Sequence, residues 1–465
     1  MPLAASDRLN NPPMVHLLNL RLYAGAMATR AIEPETGKIS PLTVFAERPW
    51  IVPALFALAF GLRLLLILLL PQAPHSDGAF YFGRALGLVN GEGYSDEGHP
   101  TAYWPIGYPA LLAGSMLVFG KSLLGAMLIN LASAMAILWL VLWFGRRLGG
   151  ELAGRAAALL YAVYPAHIAY TGAVLSETSY TAVAMGAFAL LVARRKDWLG
   201  LALAGLLFGI ATLMRPQSML FPVGAIIALL VVFRDFGWRD AVRAFLVVHI
   251  VLFAAVLPWS LRNQRVMGEF VLVSTNGGSS FLTGANDDAT GDHYEWEHGP
   301  LWAASGIPHD QKIARQVELD RRFNAMAWSW IRENPVRFLA MGPKKVLLLW
   351  RKDSDGFWML QNAHPDKAGL LRAGQWLNQL FFMALLGLAA FAFWRATRAV
   401  FGGRQDEKAL GLLLCMPLFV SLLAFFFTGQ VRYHYPAMPF VIVAAGWSLA
   451  FWLNRRLPSE ARRTN

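Results

Sequence analysis

WIVPALFALAFGLRLLLILLL, residues 50–70, runs into PQAPHSDGAFY, residues 71–81, and the reading of this junction decides the fold. A helix needs about 20 mostly apolar residues to cross the hydrocarbon layer of a bilayer. The first segment meets that length. The second follows at once with His75-Ser76-Asp77-Gly78-Ala79-Phe80-Tyr81, so a helix leaves the membrane and sets one carboxylate, Asp77, at the water boundary. There it is available for proton chemistry on a lipid-borne substrate.

Composition carries this reading over the whole chain. Its 465 residues are 56% hydrophobic and 15% charged, with mean hydropathy +0.43. That is too much apolar surface for a water-soluble fold. Lys plus Arg number 41 against 29 Asp plus Glu. In a soluble protein that surplus would point to nucleic acid, but here the basic residues cluster between apolar spans. They read as topology signals and contacts for anionic membrane lipids, with no nucleic-acid partner. The single cysteine, Cys415, excludes intramolecular disulfides and lies in an apolar segment as core packing. Residues 1–48 mix charges, prolines and short apolar patches without a compact apolar run and cleavage site, so the first span is expected to be the targeting signal as well. There is no internal repeat or low-complexity tract.

Ten spans are expected, near 50–70, 122–144, 156–172, 177–193, 199–214, 217–233, 242–258, 375–394, 409–428 and 435–453. The fold class is therefore an all-α polytopic membrane protein. Orientation follows from the short connections. One set carries Arg146, Arg147 and Arg155; Arg194, Arg195 and Lys196; Arg234, Arg239 and Arg243; Arg395, Arg398, Arg404 and Lys408; and the tail with Arg455, Arg456, Arg462 and Arg463. The opposite set holds only Arg84, Lys121, Arg215 and Arg432. The first set is assigned to the cytoplasm, with both termini inside.

The chain then divides into a cytoplasmic segment (1–48), a transmembrane catalytic module (49–258) with a first outer loop (71–121), a second outer loop (259–374), C-terminal transmembrane helices (375–454) and a cytoplasmic tail (455–465). Phe80–Val89 and Gly107–Val118 in the first loop are too short to span and are expected as surface helices. Phe338–Trp350, short and carrying Lys344 and Lys345, is expected along the outer interface. The second loop, with turn signals at Asn276-Gly277-Gly278 and Gly284-Ala285-Asn286-Asp287-Asp288, reads as a small cap.

The interiors of the spans are nearly free of ionisable residues, and the notable charges sit at the outer ends. A proton- or sodium-coupled transporter would place acids near the midplane; an enzyme acting on a lipid-linked donor would place them where the donor phosphate sits. Asp77 and Glu177 are the carboxylate candidates. Glu177 opens span four in Ser176-Glu177-Thr178, which the topology brings to the same face as Asp77. One carboxylate can accept an acceptor proton while the second orients or polarises; the plainer alternatives are helix-cap roles for both.

Arg84, Arg215, Arg262, Arg432 and His434 are candidates for holding a donor phosphate, because a guanidinium offers bidentate bonds and stays charged in a low dielectric. Singly, each Arg also fits an interfacial anchor. Tyr81, Tyr103, Trp104, Tyr108 and Trp259 are candidates for substrate contact, or for the aromatic belt at a membrane boundary. His75 and His99 could join Asp77 at a divalent ion, but no metal motif supports one, so no cofactor is expected.

These motifs together resemble the membrane-embedded glycosyltransferases of the GT-C type, especially the glycosyltransferase family 39 group that resembles protein O-mannosyltransferases and the lipid A aminoarabinose transferase. The resemblance rests on Ser76-Asp77-Gly78 through Tyr81, Trp104-Pro105-Ile106-Gly107-Tyr108-Pro109, Ser176-Glu177-Thr178, Arg215-Pro216 and Pro258-Trp259-Ser260-Leu261-Arg262-Asn263, with Arg432-Tyr433 and Pro436 later. It implies transfer of a sugar from a polyprenyl-phosphate donor to a glycan, lipid or protein acceptor, usually with inversion, on the periplasmic face of the inner membrane. It also implies Asp77 as catalytic base. The chain departs from the commoner double-acid signature, since Gly78 follows Asp77 where many relatives carry a second acid. A flippase or exporter of lipid-linked sugars would use the same arginines without a base, and an inactive assembly subunit would need none of these residues.

Overall fold

The computed structural model describes residues 45, 47–294, 296, 299–402 and 405–454; most of the expected N-terminal segment and the whole C-terminal tail lie outside the described residues. The helices are α1 (Ile51–Leu69), α2 (Asp77–Asn90), α3 (Gly107–Phe119), α4 (Leu123–Ala162), α5 (Pro165–Thr171), α6 (Glu177–Ala193), α7 (Trp198–Met214), α8 (Phe221–Val232), α9 (Trp238–Met267), α10 (Gly277–Thr283), α11 (Gln316–Glu333), α12 (Pro335–Trp350), α13 (Asp355–Ala363), α14 (Ala368–Gly402), α15 (Cys415–Phe426) and α16 (Met438–Leu453). A two-residue antiparallel hairpin, β1 (Ser95–Asp96) and β2 (His99–Pro100), interrupts the first outer loop. Glu97 and Gly98 close it, both at positive φ, as the right-handed twist of a two-residue hairpin demands.

Among the described residues, six helical stretches are long and apolar enough to cross a bilayer, Ile51–Leu69, Leu123–Ala162, Trp238–Met267, Pro365–Gly402, Ala409–Phe426 and Val431–Leu453. Shorter apolar helices lie at Gly107–Phe119, Glu177–Ala193, Trp198–Met214 and Pro216–Val232. The molecule is an all-α polytopic membrane protein. Its outward faces carry Leu64, Leu65, Leu68 and Leu69 on α1, Ile250 and Phe253 on α9, and Leu377 and Leu380 on α14, surface that only lipid solvates well.

Helix association inside a bilayer depends on close packing rather than on water exclusion. The α7–α9 seam shows how: a Cβ on Gly205 would meet the Val248 carbonyl oxygen at 2.6 Å, and one on Gly209 would meet Ala255 Cβ at 2.7 Å. The Gly205-x-x-x-Gly209 spacing puts both on one helical face. α4 packs against α16 at the centre, where Phe144, Phe188, Phe221 and Phe440 share one apolar core.

The third expected span, 156–172, is not a single helix. Its first part follows the second span after a reversal at Gly149 (φ −150°) and Gly150 (φ +79°), where α4 leaves helical geometry and folds back so that a Cβ on Gly145 would stand 2.6 Å from Gly154 Cα, and it ends at Ala162. Tyr164 is extended (φ −69°, ψ 112°) before Pro165 starts α5, as expected for a residue preceding proline. A break there frees backbone carbonyls that no water can reach. Arg63 of α1 supplies the donors: fully buried, it donates to Ala162 O and Tyr161 O at 3.2 Å and to Ala59 O at 3.1 Å, with its guanidinium 4.8 Å above the Tyr161 ring. The expectation of nearly charge-free span interiors is corrected at this residue.

The second outer loop has its own small core of Trp296, Trp302, Phe323 and Trp330. The segment Phe338–Trp350 lies within α12, which packs against α15 and exposes Val336, Leu339 and Leu347. Lys345 points inward, where its Nζ donates to Gly284 O at 2.8 Å.

Candidate active site

Four separate segments deliver charge to one end of the bundle. Ser76, just before α2, holds φ +51°, a conformation that costs a non-glycine residue of order 1 kcal/mol. It turns the chain so that Asp77 opens the helix. Gly78 then packs so closely that a Cβ would stand 2.8 Å from Val174 O, pressing the start of α2 against the segment leading into α6, whose first residue is Glu177. This contact leaves no room for a second acid at position 78. The start of α3 docks in the same way on the end of α7, where a Cβ on Gly107 would stand 2.6 Å from the carbonyl carbon of Leu213. Arg215 follows, extended before Pro216. Arg432 comes from the 3-10 turn Val431–Ala437 that leads into α16.

Two ion pairs result. Arg432 Nη1 donates to Asp77 Oδ2 at 2.7 Å, with side chains 22% and 16% exposed. Arg215 Nη2 stands 2.6 Å from Glu177 Oε1, with 14% and 1% exposure. Neither Glu177 oxygen has an aligned hydrogen-bond donor, so that pair is held by charge rather than by directed bonds. The buried Tyr81 phenol lies within electrostatic reach of all four groups. Burial first, then the charges of Asp77 and Glu177, push it well above its ordinary range, so it remains a protonated donor.

Neither carboxylate is tied up as a helix cap, since Ser76 and Ser176 hold the cap positions without side-chain capping bonds. The set of two anions and two cations is close to neutral, and each partner stands where removing the other would strand a poorly solvated charge. A phosphate placed here would have to take a guanidinium from its carboxylate or share it.

Tyr81, Trp104, Tyr108 and Tyr103 form a continuous aromatic wall. Ring centres are 6.1 Å apart for Tyr81 and Trp104, 5.4 Å for Tyr81 and Tyr108, and 5.7 Å for Tyr103 and Trp104. Trp259 stands apart from it, donating to Val273 O at 2.7 Å and meeting Tyr94 edge-on.

The other three expected cations are engaged elsewhere. Arg84 pairs with Asp96 at 2.7 Å and also donates to Ser95 O, bracing the hairpin. Arg262 donates to Tyr94 O at 2.6 Å and Thr101 O at 2.8 Å, holding the same loop. His434 is buried between Trp350 and Phe382, with Nδ1 2.8 Å from Leu349 O and Nε2 3.5 Å from Asp353 Oδ1. His75 lies beside Trp358; among the described residues no three His, Cys, Asp or Glu side chains cluster for a metal.

Sequence reasoning missed Asp353 and Asp355. Burial works to raise the Asp353 carboxyl, but His434 and Tyr164 at hydrogen-bonding range outweigh it and hold the group down. Asp355 is raised by burial, with Arg432 in electrostatic reach opposing. The acidic run Asp353-Ser354-Asp355 was visible, but nothing in its spacing places it beside residues 432–434.

Residues 103–260 match the family described as dolichyl-phosphate-mannose-protein mannosyltransferase. No curated protein matches the chain in sequence. Among solved structures, the apo oligosaccharyltransferase of Archaeoglobus fulgidus is similar over 89% of this chain and 51% of its own, at 13% identity and TM-score 0.53. The same archaeal enzyme in complex with an inhibitory peptide and a dolichol-phosphate gives 88%, 51%, 13% and 0.50. ArnT from Cupriavidus metallidurans bound to undecaprenyl phosphate gives 88%, 79%, 13% and 0.42. The chain thus spans about half the length of the oligosaccharyltransferase. The chain is thus similar in fold to the archaeal oligosaccharyltransferase, and its residues 103–260 match the mannosyltransferase family description.

Proposed function

We propose that this protein is a membrane glycosyltransferase that moves a sugar from a polyprenyl-phosphate donor to an acceptor hydroxyl. The observation that carries the reading is the meeting of Asp77–Arg432 with Glu177–Arg215 at one end of the bundle, under loops rich in aromatic side chains. Two guanidinia suit a phosphate, and a carboxylate paired to one of them becomes a free base once the phosphate takes its partner. Support also comes from the matched family description and from an archaeal enzyme of the same fold seen with a dolichol-phosphate.

In the proposed step the donor phosphate draws Arg432, with Arg215 beside it, and releases Asp77. The acceptor oxygen attacks the anomeric carbon from the side opposite the phosphate, its proton passing to Asp77. The bond from that carbon to the phosphate oxygen breaks, its electron pair stays on the phosphate, and configuration inverts. Glu177 keeps Arg215 in place, and the Tyr81 hydroxyl donates into the same space. The prenyl tail lies in lipid between helices, and the second outer loop limits entry of water that would hydrolyse the donor. The basic connections lie at the opposite end of the bundle, and their charge bias supports a reaction on the periplasmic side of an inner membrane.

A flippase for lipid-linked sugars would need the arginines but not an acid buried against each. The two readings differ in product. Reconstituted vesicles given a polyprenyl-phosphate sugar and a membrane glycan or protein acceptor should release polyprenyl phosphate; donor crossing the bilayer unchanged, with none released, would establish the carrier instead.

A further inference from the structure

The basic end of the bundle, away from the reaction centre, holds a cavity of about 260 Å³ lined by Trp394, Arg395, Arg398, Gly402 and Glu407. Four of these come from the last turns of α14, where positions 394, 398 and 402 fall at successive turns and 395 stands three before 398, so all share one helical face. Glu407 closes the other side from the single helical turn Gln405–Lys408. Its carboxylate is already engaged, because Arg395 donates Nε to Oε2 at 2.8 Å and Nη2 to Oε1. The Arg395 guanidinium also lies 5.0 Å from the centre of the Phe451 ring on α16, which seats this pair against the neighbouring helix. Arg398 differs. It is exposed, stacks 5.1 Å from the centre of the Trp394 ring, and among the described residues no acid or hydrogen-bond acceptor engages it. Stacking uses the face of a guanidinium and leaves its in-plane N–H donors open.

With one carboxylate matched to one guanidinium, the cavity keeps a single uncompensated positive charge, and its rim says which anion suits it. Trp394, Phe401 and Trp452 are exposed, and Phe391 joins the two tryptophans, with ring centres 5.9 Å from Trp394 and 4.9 Å from Trp452. Such aromatic groups gather where the headgroups of a bilayer begin. Phe401, 87% exposed beside Gly402, is a surface that acyl chains solvate and water does not. We propose that this cavity binds the headgroup of a monoanionic phospholipid from the leaflet at the basic end, its phosphate on Arg398 and its chains along Trp394 and Phe401. The site stands independently of the transfer reaction. A zwitterionic headgroup would bring an ammonium that needs a carboxylate, and the carboxylate of Glu407 is taken by Arg395; a basic pocket between spanning helices therefore selects for anionic lipid. Gly402 makes the room, since a Cβ there would meet no atom within 4 Å.

Two variants separate shape from charge. Gly402→Leu fills the cavity and leaves every charge in place; Arg398→Gln removes the charge and leaves the room. The test uses the purified full-length protein, stripped of lipid in detergent, and counts bound lipid by native mass spectrometry as phosphatidylglycerol or phosphatidylcholine with the same acyl chains is added. The native protein should hold one phosphatidylglycerol about tenfold more tightly than phosphatidylcholine, and an excess of inorganic phosphate should not displace it. Each cavity variant should lose about tenfold in affinity for phosphatidylglycerol while keeping its lipid-free melting temperature. Arg239→Gln removes an arginine that stacks on Trp238 at 5.5 Å but does not line this cavity, and it should change that affinity by less than about twofold. Equal binding of the two lipids, native affinity in either cavity variant, or a loss in Arg239→Gln as large as in Arg398→Gln would overturn the site. Displacement of phosphatidylglycerol by inorganic phosphate would overturn the lipid assignment in favour of a free anion.

Discussion

The two ends of the bundle use ion pairs differently. At the basic end, Arg194–Asp197 and Arg243–Asp240 are three residues apart in sequence, Arg155–Glu151 is four apart, and Arg195 reaches Asp235, 40 residues on at the end of the next helix pair, at 2.9 Å. Asp235 is 56% exposed there. At the other end, Asp77 and Arg432 are 355 residues apart, Glu177 is sealed from water, and the chain accepts a strained Ser76 to aim Asp77. Exposed local pairs contribute about 0–1 kcal/mol and form wherever side chains meet. Buried pairs assembled from distant segments cost desolvation that their attraction barely repays. That cost marks the second end as the one shaped by chemistry.

The contrast is broken most severely at Asp77. Asp77→Asn should lower transfer about a thousandfold, within the range of general-base catalysis, while donor binds more tightly because Arg432 loses its competing carboxylate. Single-turnover rates together with donor affinity would show this split; a parallel fall in both would mean that Asp77 only supports the fold. Arg432→Lys and Arg215→Lys keep the charge but lose the planar fork, and each should cost about a hundredfold in transfer. Lysine variants that turn over normally would take phosphate recognition away from these residues.

Next comes the packing that aligns the site. Gly107→Val drives a side chain into the backbone of Leu213 and Met214 and should destabilise by about 2 kcal/mol with loss of activity. Gly114→Val on the same helix, with open space around it, should change little in the same melting and turnover assays.

Lys345 gives a smaller effect with a defined pH signature. Burial lowers its amine to about 8, below the ordinary ~10.4 of an unfolded chain. The folded protein therefore binds fewer protons between those values, and stability rises with pH across that window; the cost of burying the charge is fully present below pH 8. Lys345→Met should raise the melting temperature at pH 7 by an amount equivalent to about 1 kcal/mol, the bond to Gly284 being lost. The advantage should fade between pH 8 and 10. Smallest of all, Asp235→Asn at the basic end should stay within about 0.5 kcal/mol of the native stability and leave transfer unchanged. A large loss there would erase the distinction between the two ends.

Much of this was legible in the sequence, for physical reasons that also set the limits. Membrane spans declare themselves by length and apolar content, and alternating spans carry Asp77, Glu177, Arg215 and Arg432 to one side whatever the side-chain details. Which cations join Asp77 was not legible. Arg84 and Arg262 are captured by Asp96 and by the carbonyls of Tyr94 and Thr101, and that depends on the conformation of the hairpin loop rather than on any local pattern. His434 is captured by a segment 85 residues upstream. Arg63 was readable as a lone charge in a span. Its purpose was not, because the carbonyls it satisfies are exposed by a helix break 99 residues away.

A density map of the protein with bound polyprenyl phosphate tests the central claim most directly. The account predicts phosphate density within hydrogen-bonding distance of both Arg215 and Arg432, with the Asp77 carboxylate released from its arginine and facing the open acceptor side. Phosphate held by Arg84, Arg262 or the basic end, with the Asp77–Arg432 pair intact, would contradict it.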